Sequence, residues 1–182
     1  MSTLIATNGN ITNVNTGVIK DSTGNTTAMT IDSVGRVIKP SQISYCVQNT
    51  SGNQTFTSGG ALVLVAPNPN SSTNGFHNIG GHFDTSNCRF TAPVAGRYLI
   101  HCSFTAWWTG GTLNDGWQHR LRLNGSTLHD YYHGGGLNGY ETRANAEAIL
   151  NLSVSDTVDF VMTGYGGGAS VQHHLFYGYL LG

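Results

Sequence analysis

Charge is scarce in this sequence of 182 residues. Lys, Arg, Asp and Glu together make up 9%, against about 25% in ordinary soluble domains. Only two Lys (Lys20, Lys39) and two Glu (Glu141, Glu147) are present. The common charged helix formers are therefore nearly missing, which excludes helical bundles and coiled coils. The formal net charge of -1 supplies no field to gather phosphate backbones or anionic lipid, so nucleic acid is not an expected partner. Long apolar runs are missing too. The longest, Ala61 to Pro67, falls far short of the ~20 residues of a spanning helix, and no membrane insertion is expected. The first residues carry neither a basic stretch nor an adequate apolar one, so no secretory signal is expected. Cysteine is limited to Cys46, Cys88 and Cys102, which form no CxxC pair and cannot all be joined within one chain. They are expected as free thiols buried as small hydrophobes.

What fills the space is glycine, 25 residues, about twice the usual share, together with Asn, Ser, Thr, β-branched and aromatic residues. The length suits one full-sized domain with an appendage, and Pro40 divides two compositions. Residues 1–40 hold no aromatic and no cysteine, and their short apolar patches cannot bury much surface alone. Within them, Ala28 to Lys39 reads as two short strands about an Asp32-Ser-Val-Gly35 turn. From residue 41 onward, strand-like runs recur between turn signals. The clearest are Ile43 to Val47, Ala61 to Val65, Gly96 to Ala106, Trp117 to Leu123, Ala144 to Val154, Thr157 to Thr163 and Leu175 to Leu181. Asn124-Gly125 predicts a two-residue hairpin, because both positions tolerate positive φ. Ala144, Ala146, Ala148, Leu150, Leu152 and Val154 alternate at period two, which predicts a strand rather than a helix.

Several spaced blocks of residues 41–182 resemble the complement C1q globular head, a tumour necrosis factor-like jelly roll. Phe90, Pro93, Gly96, Tyr98 and Ile100 match its Phe-x-x-Pro-x-x-Gly-x-Tyr-x-Phe block, with Ile100 in place of the usual Phe. Leu123-Asn-Gly125 is similar to its hairpin. Leu150 to Val158 resembles Leu-x-Leu-x-x-Gly-Asp-x-Val, with Ser155 in place of Gly, and Phe176 to Leu181 resembles the terminal Phe-x-Gly-x-Leu strand. The resemblance implies an all-β jelly-roll sandwich of about ten strands that assembles as a homotrimer, its C-termini near the N-terminal face and its loops at the far end for ligands. Alternation fits: Tyr98, Ile100, Cys102 and Phe104 share one face, and Leu99, His101 and Ser103 share the other, the candidate trimer interface. Residues 19–40 resemble segments that precede such heads in fibre-like virion proteins of bacteriophages.

Recognisable chemistry is thin. His129 and His133 lie at a spacing that converges on a metal on a helix, but their Gly-flanked stretch reads as strand or loop, and the adjacent His173 and His174 point to opposite faces of a strand. The head's acids, Asp84, Asp115, Asp130, Glu141, Glu147, Asp156 and Asp159, are too scattered to spell a calcium loop. No hydrolase elbow, phosphate loop or His-Glu-x-x-His motif is present. No catalytic residue, metal or cofactor is expected, and the chain is not expected to be an enzyme. The suggestive constellation is aromatic: Trp107, Trp108, Trp117, Tyr131, Tyr132, His133 and Tyr140 lie among Gly-rich stretches. Flat amphipathic rings suit a surface glycan or receptor, or else they pack the core and the trimer. Since Trp107 and Trp108 are consecutive, one strand cannot send both into the same core. The expected role is a structural protein of a bacteriophage virion, a short fibre, tip or decorating knob. Residues 1–40 would meet other virion proteins, and the trimeric head could bind the host surface. The alternative is a free lectin-like or cytokine-like trimeric binding module.

Overall fold

The computed structural model describes residues 18–20, 23–24, 27–39, 41–48, 54–56, 61–63, 76–110, 116–133, 141–165 and 168–182. The chain divides into two compact units, Met1–Gln42 and Ile43–Gly182. In the first, β1 (Val18–Lys20), β2 (Thr27–Ile31) and β3 (Val37–Ile38) form an antiparallel three-stranded sheet. The β2–β3 turn falls at Asp32 to Gly35 as the sequence predicts. Asp32 Oδ1 accepts from the amides of Val34 at 3.0 Å and Arg36 at 2.9 Å, and Gly35 takes φ 84°. Val18, Ile19, Ile31, Val34, Val37 and Ile38 are all exposed, so this sheet has no core of its own among the described residues.

The second unit is a sandwich of two antiparallel six-stranded sheets. The first sheet runs β13 (Glu141–Leu152), β10 (Gly96–Gly110), β15 (Gly168–Leu180), β4 (Ser44–Gln48) and β7 (His77–Ile79), with β5 (Gln54–Phe56) also on β15. The second runs β12 (Ser126–His133), β11 (Gly116–Leu123), β14 (Thr157–Tyr165), β9 (Arg89–Thr91) and β8 (Phe83–Asp84), with β6 (Ala61–Val63) also on β14. Period-two patterning sets the inner faces. Tyr98, Ile100, Cys102, Phe104 and Ala106 of β10 are buried, as are Trp117, His119 and Leu121 of β11.

Rings from the two sheets meet in the middle. Tyr45 stacks on Phe83 at 4.6 Å and on Phe90 at 5.1 Å, Phe104 meets Trp117 at 5.3 Å, and Phe160 meets Phe176 at 5.5 Å. Each such pair adds about 0.5–1.5 kcal/mol beyond the burial of its area. Cys88 and Cys102 are buried thiols with no disulfide, and burial, with Cys88 nearby, pushes the Cys102 thiol well up. It is a core hydrophobe rather than a nucleophile. Cys46 likewise forms no disulfide and is only partly buried.

One end of the sandwich gathers the turns. Asn124 (φ 50°) and Gly125 (φ 79°) make the hairpin between β11 and β12. The Asn124 side chain donates to Asp156 Oδ1 and accepts from the Thr157 amide, both at 2.8 Å. Asp156 Oδ2 accepts from the Ser153 amide at 2.8 Å, and Ala92 exchanges backbone bonds with Ser155 and Asp156. The first and last residues of this unit lie here too, since the Leu180 amide donates to the Ile43 carbonyl and the Arg97 amide to Gly182. From this base, Arg97 to Trp107 carries β10 about 33 Å to the opposite end.

Candidate functional site

Two features of the second unit stand out, an apolar row and a groove, and both lie on the outward face of the first sheet. Register aligns Ile149 with Leu99, Leu99 with Tyr179, Tyr179 with Ser44 and Ser44 with Ile79 across five strands. This row sits near the base. Ile149 is 55% exposed, Tyr179 39% and Ile79 38%. Like Leu99, Ile149 and Tyr179 stand on the face opposite the core, where a sheet facing only water would carry polar residues. The next row is polar: Glu147, His101, Tyr177, Cys46 and His77. His101 stacks on Tyr177 with ring centroids 4.4 Å apart and lies 3.2 Å from Glu147 Oε2. Burial and the Glu147 carboxylate raise the Tyr177 phenol above its ordinary range. Leu99, His101 and Ser103 thus share this outward face, as alternation predicts.

At the opposite end of the same face, three cross-strand pairs, Ser103 with Asn145, Thr105 with Arg143 and Trp107 with Glu141, line a groove of about 570 Å³. Arg143 Nε donates to Glu141 Oε1 at 3.0 Å. Trp107 is 38% exposed and supplies the aromatic wall.

The aromatic constellation expected from the sequence is not one surface. Trp117 is fully buried against Phe104, because the register of β11 points it inward with His119 and Leu121; it leaves the candidate ligand set. Tyr131 is half-buried and stacks on His119 at 4.6 Å. Tyr132, next along the strand, is 59% exposed on the outward face of the second sheet, across the sandwich from Trp107. Trp108 and His133 belong to β10 and β12, with side chains outside the described residues, and Tyr140 lies outside them altogether. Glu141 and Arg143, which frame Trp107, carry no local sequence signal. They reach it only through the β10–β13 register. Ile149 did leave a trace, as an apolar residue on the polar phase of an alternating strand.

The head's described carboxylates are committed to separate partners. Asp159 is clamped between Arg89 Nη2 at 2.9 Å and Arg122 Nε at 2.7 Å, Asp130 meets Arg120, and Asp156 meets Asn124. No group of three metal-ligating side chains comes together among the described residues.

The family model for the C1q domain matches residues 66–181. The chain belongs to the C1q domain family. The globular domain of zebrafish complement 1qA protein aligns over 78% of this chain and 98% of its own length, at 14% identity and a TM-score of 0.53. The Eiger TNF structure from S. frugiperda aligns over 78% and 93%, at 14% identity and a TM-score of 0.53. At such identity these two likenesses speak for the fold, a C1q and tumour necrosis factor-like jelly roll. A search of curated proteins finds no match.

The C1q-type blocks now acquire physical roles. Phe90, Tyr98 and Ile100 are core, and the Tyr98 hydroxyl donates to the Val94 carbonyl at 2.8 Å, pinning the Pro93 turn. Ser155, where C1q domains usually carry Gly, takes φ 71°, a backbone region that Gly enters without the Cβ penalty. Asp156 is the clasp that ties this turn to the Asn124 hairpin.

Proposed function

We propose that the chain is a structural protein of a bacteriophage particle: a homotrimeric C1q-type head, joined to the particle by residues 1–40 and turned outward to bind. Domains of this family are often trimeric binding modules, which sets the general role. The observation that carries the assembly is the apolar row of Ile149, Leu99, Tyr179 and Ile79 on an outward sheet face. Removing apolar area from water contributes about 25 cal/mol per Å², so self-association through this face is favoured. The attachment role rests on the first unit. Its apolar side chains have no core of their own among the described residues, and residues 19–40 resemble segments preceding heads in fibre-like virion proteins. The chain also enters the head at the base, opposite the Trp107 groove, which suits a head held at one end and presented at the other.

Native mass spectrometry at micromolar concentration is expected to give three times the monomer mass, and Ile149→Asp to lower the trimer fraction. A monomer under these conditions would overturn the assembly. Immunogold labelling of purified particles is expected to mark the virion; label found only on secreted, particle-free material would favour the free binding module.

A further inference from the structure

We propose that the groove framed by Trp107, Glu141 and Arg143 binds a neutral pyranose sugar. The inference rests on reading the head as a binding module and gives that module a ligand class and an address. Three features of the groove bear on the chemistry. Trp107 offers a partly exposed indole, a flat apolar surface suited to the C–H face of a sugar ring. Around it stand groups of both hydrogen-bonding senses. Glu141 carries carboxylate acceptors, Arg143 carries donors beyond the Nε that it gives to Glu141, and Ser103, Thr105 and Asn145 lie on the same face. Sugar hydroxyls donate and accept at once, so a mixed set satisfies them better than a set of one sign.

Charge selects among sugars. Glu141 and Arg143 pair with each other at 3.0 Å, and the other six lining side chains are uncharged, so the groove has no net charge with which to attract a carboxylated or sulfated ligand. The Arg143 charge is compensated by Glu141, so an anion would meet a carboxylate beside the guanidinium, whereas a neutral hydroxyl can use the remaining N–H donors without that repulsion. Position supports the same reading. Trp107, the aromatic wall, lies about 26 Å along β10 from Leu99 in the apolar row, and Ser103, at the near edge of the groove, about 13 Å, so a ligand stacked on Trp107 and a partner subunit on the apolar row engage different parts of one face.

The full-length protein is titrated with methyl β-D-galactopyranoside, methyl α-D-mannopyranoside and N,N′-diacetylchitobiose, with N-acetylneuraminic acid and inorganic phosphate as anionic comparators. The readout is the ¹H–¹⁵N signal of the Trp107 indole, assigned from its loss in Trp107→Phe. At least one neutral sugar is expected to shift that signal with a Kd in the millimolar range or tighter. With binding followed on the sugar by saturation-transfer NMR, which does not need the indole, Trp107→Ala should weaken it at least tenfold and Glu141→Gln several-fold, with melting temperatures close to that of the parent. If Trp107→Ala fails to fold, Glu141→Gln and Trp107→Phe carry the test. Trp107 unmoved by every neutral sugar, moved by the anions alone, or binding unchanged in the variants overturns the proposal. Native mass measured on the same samples separates the two readings. A trimer with an unresponsive Trp107 sinks the groove and leaves the assembly, whereas a sugar-binding monomer does the reverse.

Discussion

Gly178 of β15 has no room for a side chain. A Cβ built there would stand 2.7 Å from the Leu99 carbonyl oxygen and 2.8 Å from two carbons of the Tyr45 ring. The first is backbone in the middle of a sheet. The second belongs to a ring already stacked on both Phe83 and Phe90, so neither neighbour can move without disturbing the core. This is the physical content of the glycine in the terminal Phe-x-Gly-x-Leu block: it lets a tyrosine lie flat on the backbone of the next strand. Gly178→Ala is expected to destabilise the head by about 1–3 kcal/mol, the usual range for overpacking, as measured by denaturant unfolding. A change below ~0.5 kcal/mol would show that Tyr45 shifts freely and that the stack is loose.

The turns at the base illustrate how elements far apart in sequence are locked together, and they carry a pH dependence. Hydrogen bonds from the Asn124 side chain and the Ser153 amide hold the Asp156 carboxyl below its usual range. A folded-state pKa depressed in this way contributes stability above the unfolded value of about 3.9, and the contribution is lost as pH falls through the folded pKa. Asp156→Asn is therefore expected to melt below the parent at pH 7 and to converge toward it below about pH 4. A gap that stays constant from pH 7 to pH 2 would mean that the carboxylate charge plays no part. Asn124-Gly125 and the Asp32 turn were legible in the sequence because a turn is decided within four residues. So was the β13 strand to Leu152, though Val154 falls in the following turn, where Ser155 needs positive φ. The groove was not legible. Trp107 and Glu141 are 34 positions apart and become neighbours only through strand register; alternation along β10 and β11 sets Trp107 outward and Trp117 inward, but it does not say which residues of another strand frame Trp107.

At the scale of the molecule, the two units differ in kind: Ile43–Gly182 has an aromatic core closed by two sheets, whereas the described apolar residues of the first unit stay mostly exposed. A chain lacking residues 1–40 is expected to keep the trimer and to melt within about 3 °C of the full chain, which at this size corresponds to ~1 kcal/mol, while failing to enter particles. Loss of the trimer in that truncation would place the first unit inside the assembly core. The placement of both ends of the head at its base, with the groove at the tip of β10, also sets its mechanical response. A load between Ile43 and the groove runs along the strands, perpendicular to the ladder bonds that join β10 to β13 and β15. Those bonds are then stretched in parallel, in shear, and must fail together. A load between Ile43 and Gly182, at the adjacent ends of β4 and β15, peels the same sheet open one bond at a time. The head is thus stiff toward a pull at its tip and yielding toward a pull between its own two ends.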